Sequence, residues 1–242
     1  MTNRVIQFSG GIGSAVTALR VAERHGTQNM TLLIADTRAE DPDLWRFSRD
    51  IADHLGLELT MVRDGRDPWQ VYADQRFLGN NRLAPCTFIL KQKPCRDWMA
   101  RHTPPGDTIA YVGIEPNDRD RRRIPAIAHN WQPWTTEFLL ADGPDATKDE
   151  LLDEVRALGI RPPLLYELGF KHNNCSGACV KAGHGQWRHL LATLPERYAH
   201  AEAKEGELRE LLGDVAILRD RRGGTSRPLP LSELRARTAA AA

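Results

Sequence analysis

The chain opens on an apolar run at residues 4–8 that stops at Ser9, Gly10 and Gly11, and residues 14–24 then place Ala15, Val16, Leu19 and Ala22 at helical spacing. That pattern predicts strand, tight loop, helix. A second apolar run at 31–35 ends at Asp36, and the stretch 43–55, acidic at its start and closed by Gly56, predicts a second helix. Residues 57–62 predict a third strand and 108–114 a fourth, which follows a helix expected over 91–101. Strands alternating with helices predict an α/β fold, a doubly wound and mostly parallel sheet covered on both faces. Ligands of such sheets sit beyond the carboxyl ends of the strands. The functional rim is then the loops after Phe8, Ala35 and Ile114, where the glycines, Asp36 and Glu115 fall.

Further along, a helix is expected over 148–158, ended by Gly159 with Pro162 and Pro163 beyond it, and two more over 186–194 and 196–212. Residues 215–218 and then 219–237 form a basic stretch interrupted by proline and glycine, and the final four alanines read as frayed. A chain of 242 residues has room for one α/β domain with a small C-terminal appendage. Lys plus Arg number 33 against 32 Asp plus Glu, so no global field draws the chain to nucleic acid or an anionic membrane, although local basic patches remain open. With no apolar run of about 18 residues and no leader pattern at the N-terminus, the expectation is a cytoplasmic protein with no membrane partner. Four cysteines in that setting point to metal, cluster or redox chemistry before structural disulfides.

Ser9, Gly10, Gly11, Ile12, Gly13 and Ser14 link the first strand to the first helix. A glycine-rich turn there leaves backbone N–H groups facing open space at the positive end of a helix dipole, which suits phosphate. The glycines permit close approach, and the hydroxyls of Ser9 and Ser14 can add donors. The spacing matches neither the Walker pattern nor Gly-x-Gly-x-x-Gly, and an ordinary strand-to-helix glycine turn is the plainer alternative.

The loop resembles the Ser-Gly-Gly-x-Asp-Ser segment of the adenine-nucleotide alpha hydrolases, or N-type ATP pyrophosphatases, the PP-loop superfamily; Gly13 stands where that pattern has aspartate. The change keeps the backbone cradle and removes a side chain that could orient the loop. The resemblance extends to Asp36 and Thr37, at a strand end where the family has residues beside the nucleoside; Asp36 can accept from a ribose hydroxyl or the adenine amino group, and equally suits a cap or turn. Arg82-Leu-Ala-Pro-Cys86-Thr-Phe-Ile-Leu-Lys91 is similar to the Arg-x-Cys-Thr-x-x-x-Lys segment of the phosphoadenosine phosphosulfate reductase-like branch. Pro163-Leu-Leu-Tyr166-Glu-Leu-Gly169-Phe170, ahead of Cys175 and Cys179, is similar to that branch's Pro-Leu-Tyr-x-x-Gly-Tyr stretch. The resemblance implies a Rossmann-like, HUP-type nucleotide-binding domain at 1–145 and a helical, cysteine-containing region with a basic tail at 146–242. Two departures lower the rank of a plain sulfate-assimilation reductase: no cysteine follows Cys179, and Cys86 has no adjacent cysteine.

Cys175 and Cys179, three small residues apart, can converge on one ion or cluster, with Cys86 and Cys95 closing the site. Four thiolates suit zinc or a 4Fe-4S iron–sulfur cluster alike. With Cys95 turned away, three thiolates leave one iron open, an arrangement similar to relatives that thiolate transfer RNA; His172 can instead complete a zinc site. Cys95 equally suits an apolar interior. Lys91, Lys93 and Arg82 flank Cys86 and can hold phosphates, as can Arg119, Arg121, Arg122 and Arg123 beyond the fourth strand, though such runs are commonly solvated faces. Trp131, Trp134 and Trp187 read as packing residues more readily than as base stackers. Arg219, Arg221 and Arg222, beside Gly223 and Gly224, form the best basic patch of the tail.

What the resemblance implies, taken with the cysteine set, is an enzyme that binds ATP with Mg²⁺, adenylylates an oxygen of transfer RNA, DNA or a small metabolite with release of pyrophosphate, and inserts sulfur from a sulfur donor at a cysteine-ligated cluster. Ser9, Ser14 and Lys91 are its expected catalytic residues. The alternatives are a reductase of an adenylylated sulfate served by a thioredoxin-like reductant, and a nucleotide-sensing or nucleic-acid-binding module that has lost catalysis.

Overall fold

The computed structural model describes residues 2–240. Five strands, β1 (Asn3–Phe8), β2 (Met30–Asp36), β3 (Leu59–Arg63), β4 (Thr108–Val112) and β5 (Thr135–Glu137), form one parallel sheet in the order β3-β2-β1-β4-β5. α1 (Ile12–His25) follows β1 and α2 (Pro42–Leu55) follows β2. Helices α3 (Pro68–Asp74) and α4 (Lys93–His102) lie between β3 and β4, and α5 (Asp118–Arg121) and α6 (Ile124–Trp131) between β4 and β5.

Alternation along the central strands feeds two cores. Ile6 and Phe8 of β1, with Leu32 and Ile34 of β2, pack against α1 and α2, whereas Val5, Leu33 and Ala110 face Met99, Trp131 and Trp134 on the other side. Helices on both faces of a parallel sheet make the fold doubly wound and Rossmann-like. The edge strand β5 was not foreseen; its three residues are too few to print a period, and it is defined by pairing with β4, Ile109 opposite Thr135. The helix expected from Lys91 begins earlier, as a wide π-helical turn at Thr87–Gln92 that runs into α4.

Beyond the sheet come α7 (Lys148–Ala157), α8 (Leu164–Glu167), α9 (His184–Thr193), α10 (Pro195–Leu212), an antiparallel hairpin of β6 (Leu218–Asp220) and β7 (Arg227–Leu229), and α11 (Leu231–Ala239). The cores interleave along the chain. Leu151, Leu152 and Val155 of α7 belong to the sheet core, whereas Tyr72 of α3 and Leu78 join the C-terminal core of Trp187, Tyr198, Leu208 and Leu231. Trp131, Trp134 and Trp187 are all buried. Glu205 is buried too, and its two oxygens accept from Ile217 N at 2.8 Å and Leu231 N at 2.6 Å, which ties α10 to the hairpin and to α11. Of the terminal alanines, Ala239 closes α11, while Ala241 and Ala242 lie outside the described residues. No helix among the described residues is long and apolar enough to cross a membrane.

Candidate active site

The order of strands reverses between β1 and β4, so the crevice beyond their carboxyl ends is the switch point of the sheet. The loop 9–14 lies there. Gly10 has φ +69°, and a Cβ on it would sit 2.5 Å from Leu44 Cγ, so this position demands glycine on both counts. Gly11 is the N-cap of α1, and no side chain caps the helix. Among the described residues, Ser9 N donates to Ser14 Oγ at 3.1 Å and Ile12 N to the Tyr166 hydroxyl at 3.2 Å, while the amides of Gly10, Gly11, Gly13 and Ser14 have no protein partner. Unpaired amides at a helix N-terminus form an anion site.

Ser14 shapes this loop: buried, it gives its one proton to Gly11 O at 2.9 Å and accepts from Ser9 N at 3.1 Å and from the Ser9 hydroxyl at 3.2 Å, so the Ser9 hydroxyl must leave Ser14 to donate to a ligand. Gly113, just past β4, closes the other wall, since a Cβ there would stand 2.7 Å from Gly13 O. Glu115 and Lys148 form an ion pair at the same crevice, with the Lys148 ammonium 5.5 Å from the centre of the Tyr166 ring. Burial pushes the Tyr166 phenol up to about 12, so it remains a neutral hydroxyl beside the loop. Asn173 donates to Gly10 O at 2.9 Å, and the stretch from α8 to Asn173 thereby braces the loop from above.

A second group of polar side chains lies beyond β2. Glu40, nearly enclosed, accepts from Thr37 Oγ1 at 3.0 Å and from Cys175 N at 3.0 Å and pairs with Lys91 Nζ at 2.8 Å. Burial works against the Lys91 charge, but the Glu40 carboxylate together with Cys175 and Cys179 outweighs it and raises the pKa. Cys175 and Ser176 hold left-handed backbone at φ +49° and +52°, strain that non-glycine residues carry mainly at functional sites. The resulting turn sets Cys175 to hydrogen-bond Cys179; that bond lowers the Cys179 pKa, with burial opposing and Lys91 assisting, and raises that of Cys175. Cys86 Sγ is 3.0 Å from the Tyr72 hydroxyl. Cys86, Cys175 and Cys179 line one cavity of about 450 Å³ together with Glu40, Tyr72 and Arg197.

The structure thus joins most of the residues singled out in the sequence. Ser9 to Ser14 form the loop that carries the unpaired amides, and Cys86, Cys175 and Cys179 line the thiol cavity, with Lys91 joined to it through Glu40. Asp36 caps a turn by accepting from Arg38 N at 2.8 Å and pairs with Arg63 at 3.1 Å, while Thr37 is committed to Glu40. Cys95 stands apart on α4, buried with Met99 and Trp131 under the opposite face of the sheet. His172 has Lys148 and Glu115 as electrostatic neighbours, and desolvation first, then Lys148, lowers its pKa. Arg121 is occupied by Asp145 and by the carbonyls of Ala141 and Gly143. Glu40, Tyr72, Lys148 and Asn173 were not anticipated. Lys148 reads in the sequence only as the first residue of a capped helix, and a lone glutamate in a loop gives no pattern at all.

Among the described residues, no group of three or more His, Cys, Asp or Glu side chains is disposed to hold a metal ion. With Cys95 elsewhere and Cys86 turned to Tyr72, the thiols as folded do not fit a four-ligand zinc or iron–sulfur site.

Fold and site define a doubly wound α/β protein with a glycine-rich candidate anion loop at its switch point and a thiol-lined cavity beside it. No protein-family model and no curated protein matches the chain. Among solved structures it is similar to the phosphoadenylyl-sulfate (PAPS) reductase of Candida auris in its phosphate complex, with 14% sequence identity and a TM-score of 0.45 over 70% of this chain and 78% of that one.

Proposed function

We propose that this chain is a PP-loop type enzyme that holds ATP on residues 9–14, adenylylates an oxygen of its substrate with release of pyrophosphate, and exchanges that oxygen for sulfur at the Cys175–Cys179 pair. The observation that carries the reading is the uncapped start of α1, with four amides at the switch point unpaired among the described residues. As the substrate oxygen attacks the α-phosphorus, the bond to the β-phosphate oxygen breaks, and the charge growing on the departing pyrophosphate is stabilised by these fixed donors and by Lys148. Mg²⁺, when bound with the nucleotide, supplies further neutralisation of the phosphates. A donor protein carrying a persulfide would pass its terminal sulfane sulfur to the Cys179 thiolate and leave as a thiol; the Cys179 persulfide displaces AMP from the substrate, Cys175 then attacks Cys179 Sγ to free the thiolated substrate, and a thioredoxin-like dithiol reduces the resulting disulfide.

The hydrogen-bonded dithiol also favours a second reading, reduction of an adenylylated sulfate: Cys179 attacks sulfur and expels the nucleotide, then Cys175 expels sulfite and a thioredoxin-like reductant resets the pair. Calorimetric titration with ATP tests the shared premise. The double substitution Ser9→Ala, Gly11→Val should abolish binding, and unchanged affinity would place the nucleotide elsewhere. Pyrophosphate release from ATP then supports the first reading, and sulfite formed from adenylylsulfate or its 3′-phosphate supports the second.

A further inference from the structure

Two hollows of about 580 Å³ each lie side by side on the C-terminal part of the molecule and share Asn81, Arg219 and Arg221. Arg76 and Arg82 line the first, and Arg188 lines the second. All five arginines are exposed, and among the described residues none is in an ion pair. The carboxylates nearby are already engaged: Asp214 with Arg209 at 2.9 Å, and Asp220 with Arg222 at 2.9 Å and Arg237 at 2.7 Å. Five unneutralised guanidinium groups along one surface, in a chain of net charge +1, repel one another unless an anion of matching length lies between them.

A single phosphate or one nucleotide engages two or three such groups. A polymer with a repeating negative charge engages all five. The segment bordering the first hollow is ordered by Asn80, whose side-chain oxygen accepts from Arg82 N at 2.9 Å and Leu83 N at 3.2 Å. Leu83 and Phe88 stand 58% and 54% exposed on the same stretch, as apolar faces that unstacked bases can cover. Cys86 lies between those two residues and lines the thiol cavity.

We infer that the two hollows form one groove that holds the phosphodiester backbone of single-stranded or looped nucleic acid and leads it past Leu83 and Phe88 toward Cys86. This deepens the proposed function by naming its substrate class, a nucleic acid rather than a small metabolite.

Fluorescence anisotropy without ATP tests it, using one labelled sequence as single-stranded RNA, single-stranded DNA and duplex DNA, with phosphatidylserine vesicles as a fourth probe. Either single strand should bind, with log K falling against log salt at a slope of about −3.5 for five phosphate contacts. Arg82→Ala, Arg188→Ala and Arg221→Ala together should cut that slope by about 2 and weaken binding at least about ten-fold at ~100 mM salt. Melting temperature and ATP affinity should not move, because none of the three side chains has a hydrogen bond or ion pair among the described residues. Equal affinity and slope for the triple variant, or binding only to the duplex or the vesicles, overturns the groove. If the loop variant loses oligonucleotide-independent ATP binding as expected while the triple variant behaves like wild type, the groove alone is wrong; if strands bind and ATP does not, the nucleotide reading alone is wrong.

Discussion

Gly113→Ala should damage the anion loop from outside it. The new Cβ would lie 2.7 Å from Gly13 O, 2.8 Å from Gly13 C and 2.8 Å from Ser14 N, all backbone atoms with no side chain to swing aside. An ordinary contact needs about 3.5 Å, so β4 and the loop must part by roughly 0.7 Å. A displacement of that size takes a hydrogen bond from about 2.9 Å past the limit at which it still counts as one. The bonds at stake are those from Gly13 N and Ser14 N to an anionic ligand, each worth about 1.5–3 kcal/mol. Losing one predicts a ten- to hundred-fold fall in ATP affinity, beside an overpacking cost of about 1–3 kcal/mol in stability. Gly13→Ala is the control. Its Cβ would meet nothing nearer than Glu115 Cγ at 3.7 Å, and Gly13 does not have positive φ, so binding should hold and the first turn of α1 should gain slightly. Calorimetric titration with ATP and thermal melts on both variants decide the matter. Wild-type affinity in Gly113→Ala, or an equal loss in Gly13→Ala, would refute the assignment of the phosphates to this loop.

Asp43 bonds Arg46, Arg161 and Leu164 N, and so fastens α2 to the segment that carries Tyr166 over the loop. The Arg46 guanidinium beside it holds its carboxyl below the usual 3.8, with burial opposing and Leu164 N–H assisting. Its contribution is therefore present above pH 3.8 and lost as pH falls through the lowered value; Asp43→Asn should cost about 1–3 kcal/mol at neutral pH, and urea titrations should show the gap from wild type closing in acid. Glu205→Ala strands two buried backbone donors, Ile217 N and Leu231 N, and should cost about 2–5 kcal/mol by the same assay; a loss under about 1 kcal/mol would mean that water reaches them. Iodoacetamide at neutral pH should label Cys179 first, because Cys175 and Lys91 favour its thiolate, and leave Cys95 untouched until the protein unfolds, since burial pushes that thiol up to about 12. Mass spectrometry of the labelled peptides checks the order, and early labelling of Cys95 would contradict its placement under the sheet.

Local pattern alone was enough for β1, β2, α1, α2 and the loop 9–14, because apolar alternation, helical spacing and glycine punctuation act over a few residues. Gly56 as the stop of α2 and Gly159 after α7 were legible for the same reason. The glycines of the loop signalled a candidate anion site, but not that Ile12 N is taken by Tyr166 or that Asn173 holds Gly10 O, both more than 150 residues away. Four cysteines were visible as a set, yet only the packing of α4 under the sheet separates Cys95 from the other three. Glu40 gave no signal, because its role as the common partner of Lys91, Thr37 and Cys175 exists only once three distant segments meet. The arginine groove is partly of the same origin: the patch at Arg219 and Arg221 was visible in the sequence, but only the tertiary fold brings the distant Arg82 and Arg188 to the same surface, where the neighbouring carboxylates are already paired. Short-range sterics and burial therefore determined the elements and the candidate residues, whereas long-range packing decided which polar groups remain unpaired.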